Sequence, residues 1–194
     1  MSSLRVGEVD VTHRDRIGEI LRATELFRDE EIDVAMELFD LACPAVIPAK
    51  AEIHVAVAND PPAISDYFFL GVFTPEDELA GFACYGPTPG TDRTFDLYWI
   101  AVDPAAQGAG SGTTLLTEVE RRLKGLNARL VVVETSSRSD YTGTRGFYMH
   151  RGYVEAAIAR EFYAPADDRI TFTKRLQSRA STRNEWGAHG VMSQ

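Results

Sequence analysis

Three glycines in alternation, Gly108, Gly110 and Gly112, stand between an apolar run that ends at Val102 and an amphipathic run that begins at Thr113. No other feature restricts the fold as much. A buried strand that passes through Asp103-Pro104 into a helix leaves the first N–H groups of that helix without intrahelical acceptors. Small residues let the backbone approach a ligand there, and the helix dipole favours negative charge at this end. The segment is read as an anion cradle, since a merely flexible strand-to-helix connection needs fewer glycines.

Several phosphate-binding designs can be set against this spacing. A P-loop places Lys-Ser/Thr after its last glycine, and here Thr113-Thr114 follow Gly112, so Walker-type nucleotide hydrolysis is excluded. The closer rival is a dinucleotide-binding unit, because the strand, the glycines, the helix and Glu134 on the next strand outline a βαβ unit with an acidic residue. The spacing Gly108-x-Gly110-x-Gly112 is not G-x-G-x-x-G, however, and only one such unit is present. A serine nucleophile elbow fails as well, since Ala109 and Thr113 occupy the positions where it needs glycine around Ser111.

The rest of the chain reads as one mixed domain. Residues 4–11 alternate as an opening strand, and Ile17, Ile20, Leu21 and then Ile32, Ala35, Met36, Phe39 recur at helical spacing, with both helices ending before Pro44. Strands are predicted at 51–58, 67–73, 79–85, 94–102 and 130–134, with loops at 59–62 and 86–92. A helix over 113–124 stops at Gly125, and a short one over 142–151 stops at Gly152. Two closing strands, 153–163 and 170–175, are joined by a loop over 164–168. The order predicts an α/β (α+β) fold with helices on the faces of a mixed sheet. Residues 177–194 lack periodicity and read as a C-terminal tail.

With 194 residues and 44% apolar content, the chain can bury a core without disulfides or a structural metal. Cys43 and Cys84 suggest neither a disulfide framework nor a zinc or redox pair, so a reducing cytoplasm is the expected compartment. No run is long and apolar enough to span a membrane, and no apolar signal core opens the chain. The net charge of −9 argues against a nucleic-acid partner. The charge is uneven: residues 1–80 carry 17 acids against 6 Lys/Arg, and residues 81–194 carry 12 against 14. Solubility accounts for this, and so does a cationic ligand near the first half with an anionic one near the second.

The stretch Gln107-Gly-Ala-Gly110-Ser-Gly112, with Val-Asp-Pro before it and Leu-Leu after, resembles the pyrophosphate-loop pattern Gln/Arg-x-x-Gly-x-Gly/Ala of the GNAT superfamily of acetyl-CoA-dependent N-acetyltransferases. Downstream, Phe147-Tyr148-Met-His-Arg-Gly152-Tyr153 is similar to that family's aromatic-Tyr-x-x-x-Gly-Phe helix. The resemblance implies a GNAT-like, mostly antiparallel sheet of about seven strands, with the acetyltransferase domain spanning 1–176. It implies acetyl-CoA as cosubstrate and no metal. The pyrophosphate would be held by backbone N–H groups of Gln107, Gly108, Ala109, Gly110, Ser111 and Gly112, with the hydroxyls of Ser111 and Thr113 as additions. The pantetheine arm would lie along Ile100, Ala101 and Val102.

Acetyl transfer to an amine needs the ammonium deprotonated and the leaving thiolate protonated. Tyr148 takes the family's general-acid position, and a phenol of ordinary pKa near 10 is protonated at neutral pH. Asp96 matches the strand position of the catalytic glutamate in some members, and period two places it with Tyr98, Ile100 and Val102. Glu134 competes with it, and a water chain without a single base stays open. Asp167 and Asp168, in the loop between the last strands, are candidates together with Glu161 to attract an ammonium; a solvated turn is the alternative. Tyr67, Phe68, Phe69 and Tyr85 are either pocket lining or core. The four histidines show no ligand spacing. The expected acceptor is the primary amine of a small metabolite or amino-acid-like compound; a protein N-terminal amine, or a non-catalytic acyl-CoA sensor on the same scaffold, are the alternatives. A homodimer is compatible with the family.

Overall fold

The computed structural model describes residues 4–44 and 66–176. The expected strand at 51–58 and the tail at 177–194 lie outside the described residues. Seven strands form one sheet in the order β1-β2-β3-β4-β5-β7-β6: β1 (Arg5–Glu8), β2 (Phe68–Phe73), β3 (Leu79–Pro87), β4 (Thr94–Val102), β5 (Leu130–Ser136), β6 (Val154–Ala164) and β7 (Asp167–Arg175). Only β4 and β5 are parallel, joined by the right number of residues for a helical crossover, and every other neighbouring pair is antiparallel.

Two layers of helix cover the sheet. α1 (Arg14–Ala23) and α2 (Asp29–Ala42) bury Ile17, Ile20, Leu21, Ile32, Ala35 and Phe39 against Phe69, Phe73 and Phe82 on one face. α3 (Ser111–Gly125) and α4 (Thr142–Met149) cover the other, where Leu115, Leu116, Val119 and Leu123 meet Leu70, Val72, Val131 and Phe172. Each helix is amphipathic at the spacing read from the sequence, so burial of its apolar stripe is what fixes it to the sheet.

Some boundaries differ from those expected. β1 stops at Glu8 because Asp10 accepts from Thr12 N at 2.9 Å and starts a 3-10 turn at Val11. β3 continues to Pro87, since β4 offers pairing as far as Phe95. α3 begins at Ser111, two residues before the apolar periodicity does, with Gly110 as its N-cap.

A larger correction concerns β4. Cys84 pairs with Trp99 but Tyr85 pairs with Leu97, so Tyr98 is an extra residue, a β-bulge. Alternation breaks there. Phe95, Leu97, Ile100 and Val102 face the α3 side, while Tyr98, Trp99 and Ala101 pack on the α1/α2 side. Asp96 therefore shares its surroundings with Tyr98 and not with Ile100 and Val102, as simple period two required.

The closing hairpin also differs. Asp167 and Asp168 open β7 instead of lying in a loop, and the connection is reduced to Pro165 and Ala166.

Candidate active site

β4 and β5 pair only from Thr94–Asp96 to Leu130–Val132. Beyond that the strands diverge, and the β5-side edge of β4 from Leu97 to Val102 has no described strand beside it. Such an edge presents backbone donors and acceptors that need partners. Two clefts follow one another along it. The first, of about 510 Å³, takes Asp96 to Trp99 from β4 and Val132 to Ser136 from β5, with the exception of Val133. The second, of about 630 Å³, takes Ile100, Ala101 and Val102 and continues onto the glycine loop and α4. Both are in the size range of small-molecule sites.

The second cleft has the chemistry of an anion site. Gln107, Gly108, Gly110, Ser111, Gly112 and Thr113 line it together with the three β4 residues; of the expected cofactor residues only Ala109 does not. Gly108 and Gly110 have φ of +78° and +89°, which side chains on L-residues disfavour, and a Cβ at either would meet open space. The N–H groups of Gly108, Ala109 and Gly110 donate to no described acceptor, and no side chain caps α3. No acidic residue stands in its first turn. The residues present therefore fit a diphosphate.

The hydroxyls behave differently from the expectation. Ser111 Oγ is turned back to donate to Ala106 O at 3.2 Å, which braces the loop, and Thr113 Oγ1 accepts from Arg151. Gln107 Nε2 donates to Val102 O at 3.1 Å, tying the loop to the end of β4. Asp103 caps the intervening turn by accepting from Ala105 N at 2.8 Å and is held from α1 by Arg16. Arg151 lies over the Phe147 ring, 3.7 Å from its centroid, and donates to Phe147 O at 3.0 Å. It is the one Lys or Arg among the described residues that line this cleft. The glycine pattern could not have pointed to it, because its place there is set by α4.

The first cleft is aromatic and acidic. Phe27, Tyr98, Trp99, Tyr141 and Tyr163 form its walls, Asp96, Glu134, Glu31 and Asp167 bring carboxylates to it, and Arg28 and Arg138 bring guanidinium groups. Asp96 accepts from Thr88 Oγ1 at 2.8 Å; burial raises its pKa, opposed by hydrogen bonds from Thr88 and Tyr98. Burial also raises Glu134, opposed by the Arg169 guanidinium at 3.4 Å and reinforced by the negative charge of Asp96. The two candidate bases thus line one cleft from adjacent strands. Tyr98, pushed up to about 12 chiefly by burial, stays a proton donor beside Asp96. Tyr67 stacks edge-on to Tyr98 at 5.4 Å, whereas Phe69 and Tyr85 are core.

Asp167 is buried, paired with Arg28 at 2.8 Å, and accepts from the Ser136 hydroxyl. Asp168 is turned into the hairpin, where it accepts from Glu161 N at 2.9 Å and Arg160 at 2.7 Å. Neither is free to receive an ammonium, and Glu161 is outside the cleft lining.

Tyr148 lines neither cleft. It is 2% exposed, with its ring against Phe147, Tyr153 and Phe172 at centroid distances of 5.3, 5.3 and 6.4 Å. Its hydroxyl makes no hydrogen bond to a described residue, and burial drives its pKa well above the tyrosine range. Its neighbour Phe147 is the aromatic of α4 that reaches the second cleft, close against Gly112.

Among the described residues, no group of three potential ligands could hold a metal ion, and no helix is long and apolar enough to cross a membrane.

A family model described as the acetyltransferase (GNAT) family matches residues 33–153. No curated protein matches the chain. Among solved structures, a GNAT-family protein from Desulfovibrio desulfuricans is 33% identical, covering 91% of this chain and 100% of its own, with a TM-score of 0.75. The ribosomal-protein-S18-alanine N-acetyltransferase of Escherichia coli shares the fold at 16% identity, 93% and 98% coverage and a TM-score of 0.67. An aminoglycoside 6'-N-acetyltransferase complexed with coenzyme A does so at 16% identity, 90% and 98% coverage and a TM-score of 0.64.

Proposed function

The chain belongs to the GNAT family of acetyltransferases, and from that premise we propose that it transfers the acetyl group of acetyl-CoA directly to the primary amine of a small metabolite or amino-acid-like compound. The observation that carries this reading is the succession of the two clefts along the unpaired edge of β4. One offers free N–H groups and Arg151, and the other offers two carboxylates of raised pKa among aromatic walls. A protonated amine is drawn to such a site by charge and by the faces of the rings.

Bound in the second cleft, acetyl-CoA supplies a thioester, so an N–C bond is made and a C–S bond is broken. Residues of this chain handle the rest. The loop from Gln107 to Gly112 and Arg151 hold the diphosphate end, and Ile100, Ala101 and Val102 offer their free edge to the amides of the pantetheine arm. Asp96 or Glu134, directly or through water, takes the proton of the incoming ammonium. A carboxylate whose pKa has moved toward neutrality is a better acceptor for this step than one in water. The return of a proton to the departing sulfur is assigned to Tyr148 on its family position in α4, although it lines neither cleft; burial keeps the phenol protonated across the neutral range. A backbone amide of β4 stabilises the oxyanion.

Release of free thiol from acetyl-CoA, followed across a panel of amines and short peptides on both sides of about pH 8, tests the proposal. Turnover with small amines is the expected result. Turnover confined to peptides would assign the protein-directed reaction, and binding of acetyl-CoA with no turnover on any amine would assign the sensor.

A further inference from the structure

We infer that Phe27 sets the length of the acyl chain this enzyme accepts, by closing the passage between the donor and acceptor clefts. Among the described residues it is the one that lines both. On β4 the handover falls between Trp99, the last strand residue of the acceptor cleft, and Ile100, the first of the donor cleft. Phe27 faces that point from the connection between α1 and α2. The inference rests on the acyl-transfer reading above, because it places the thioester end of the cofactor at this junction.

The backbone that carries the ring is fixed from both sides. Leu26 O accepts from Arg138 Nη2 at 2.9 Å and from the Tyr141 hydroxyl at 3.1 Å, which ties the residue before Phe27 to the β5–α4 connection. Arg28, the residue after it, reaches β7 through Asp167 at 2.8 Å, and its N–H donates to Glu31 at 2.8 Å. Asp167 is buried and also bonded to Ser136, so this anchor is itself held. Phe27 packs against the α1/α2 core as well. Displacing the segment that carries the ring would break ties on both flanks. A two-carbon acyl group ends at such a barrier, whereas a longer chain must run into it. Aromatic bulk at a tethered position therefore acts as a stop.

Calorimetric titration of the full chain with CoA, acetyl-CoA, butyryl-CoA and hexanoyl-CoA tests this without knowing the acceptor. The wild type is expected to bind butyryl-CoA at least about tenfold more weakly than acetyl-CoA. Each buried methylene is worth about fourfold in affinity, so Phe27→Ala should remove the preference or reverse it, changing the butyryl-to-acetyl ratio by about fifteenfold. Phe27→Leu should fall between, and it keeps the test alive where the alanine variant folds poorly. Ratios are taken against free CoA, so a general loss of cofactor binding cancels. The same acyl preference in all three proteins, or equal affinity of the wild type for acetyl-CoA and butyryl-CoA, would overturn the role of Phe27 while leaving acyl transfer standing. Failure of the wild type to bind CoA at all would overturn both.

Discussion

Tyr148→Phe separates a proton donor from a packing ring, because the two roles make opposite demands on stability. The substitution retains the ring and its contacts with Phe147, Tyr153 and Phe172. It removes a hydroxyl that makes no hydrogen bond to a described residue. Since no hydrogen bond to a described residue is lost, the substitution should change stability by less than about 1 kcal/mol. For a chain of this length that is a shift in Tm of no more than about 2–4 °C. The catalytic expectation runs the other way. Loss of a general acid lowers turnover by about 10²-fold or more, equivalent to about 2.7 kcal/mol at the transition state. Acetyl-CoA affinity should hardly move. Differential scanning fluorimetry, calorimetric titration of acetyl-CoA and the thiol-release assay read the three quantities on one preparation. Tyr148→Ala provides the contrast, since deleting the whole buried ring should cost about 3–5 kcal/mol in stability. A phenylalanine variant with full turnover would refute the acid assignment, and one with Tm lowered by several degrees would refute the claim that the hydroxyl contributes nothing to the fold.

The remaining expectations follow from the same geometry. Asp96 and Glu134 have folded pKa values above their unfolded ones, so each contributes stability that is fully present below the unfolded pKa and is lost as pH rises through the folded value. Asp96→Asn and Glu134→Gln should therefore be as stable as the wild type or more so at pH 7 by urea denaturation, with the gain vanishing below the ordinary carboxylate range, while kcat/KM falls in whichever variant has lost the base. A loss of stability at pH 7 would contradict the burial argument. Arg151→Gln should weaken acetyl-CoA binding by about tenfold or more, as expected for a charge-assisted hydrogen bond, and the loss should shrink as salt is raised; unchanged affinity would remove Arg151 from the cofactor site. Gly110→Ala forces a side chain into φ of +89°, which costs roughly 1–2 kcal/mol, and it adds a methyl group to the space opposite the loop. Acetyl-CoA affinity should drop while the fold persists, and undiminished affinity would mean that the loop does not approach the ligand closely.

How much of this was legible in the sequence depends on the range of the interaction that encodes it. The donor cleft is local. Asp103, the three glycines and the first turn of α3 are consecutive, and positive φ at Gly108 and Gly110 is a property of the chain itself. The acceptor cleft is not local. Arg28 owes its place to Asp167, 139 residues away, and Leu26 owes its place to Arg138 and Tyr141, more than 110 residues on. No periodicity within α1 or α2 reports those partners. The clustering of acids before residue 80 did anticipate an acidic cleft in part, since Glu31 lines it, but Asp96, Glu134 and Asp167 come from the half of near-neutral balance. Net charge describes the surface as a whole, whereas the cleft is assembled from strands that the topology brings together.

The bulge at Tyr98 is the clearest case of information that a strand does not carry alone. Residues 94–102 read as one uninterrupted apolar strand, and the extra residue exists only relative to Cys84 and Tyr85 on β3. Its consequence reaches the chemistry. Without it, Asp96 would share a face with Ile100 and Val102, and the candidate base would sit on the same side of β4 as the residues proposed to hold the pantetheine arm. The change of face after Leu97 instead sends Ile100 and Val102 toward α3 and the glycine loop, and leaves Tyr98 and Trp99 facing the α1/α2 side. One inserted residue thus divides β4 into the segment proposed to hold the donor and a segment that lines the first cleft. The divergence from β5 exposes both, and in the proposed reaction the two substrates meet where those segments join, beside Phe27.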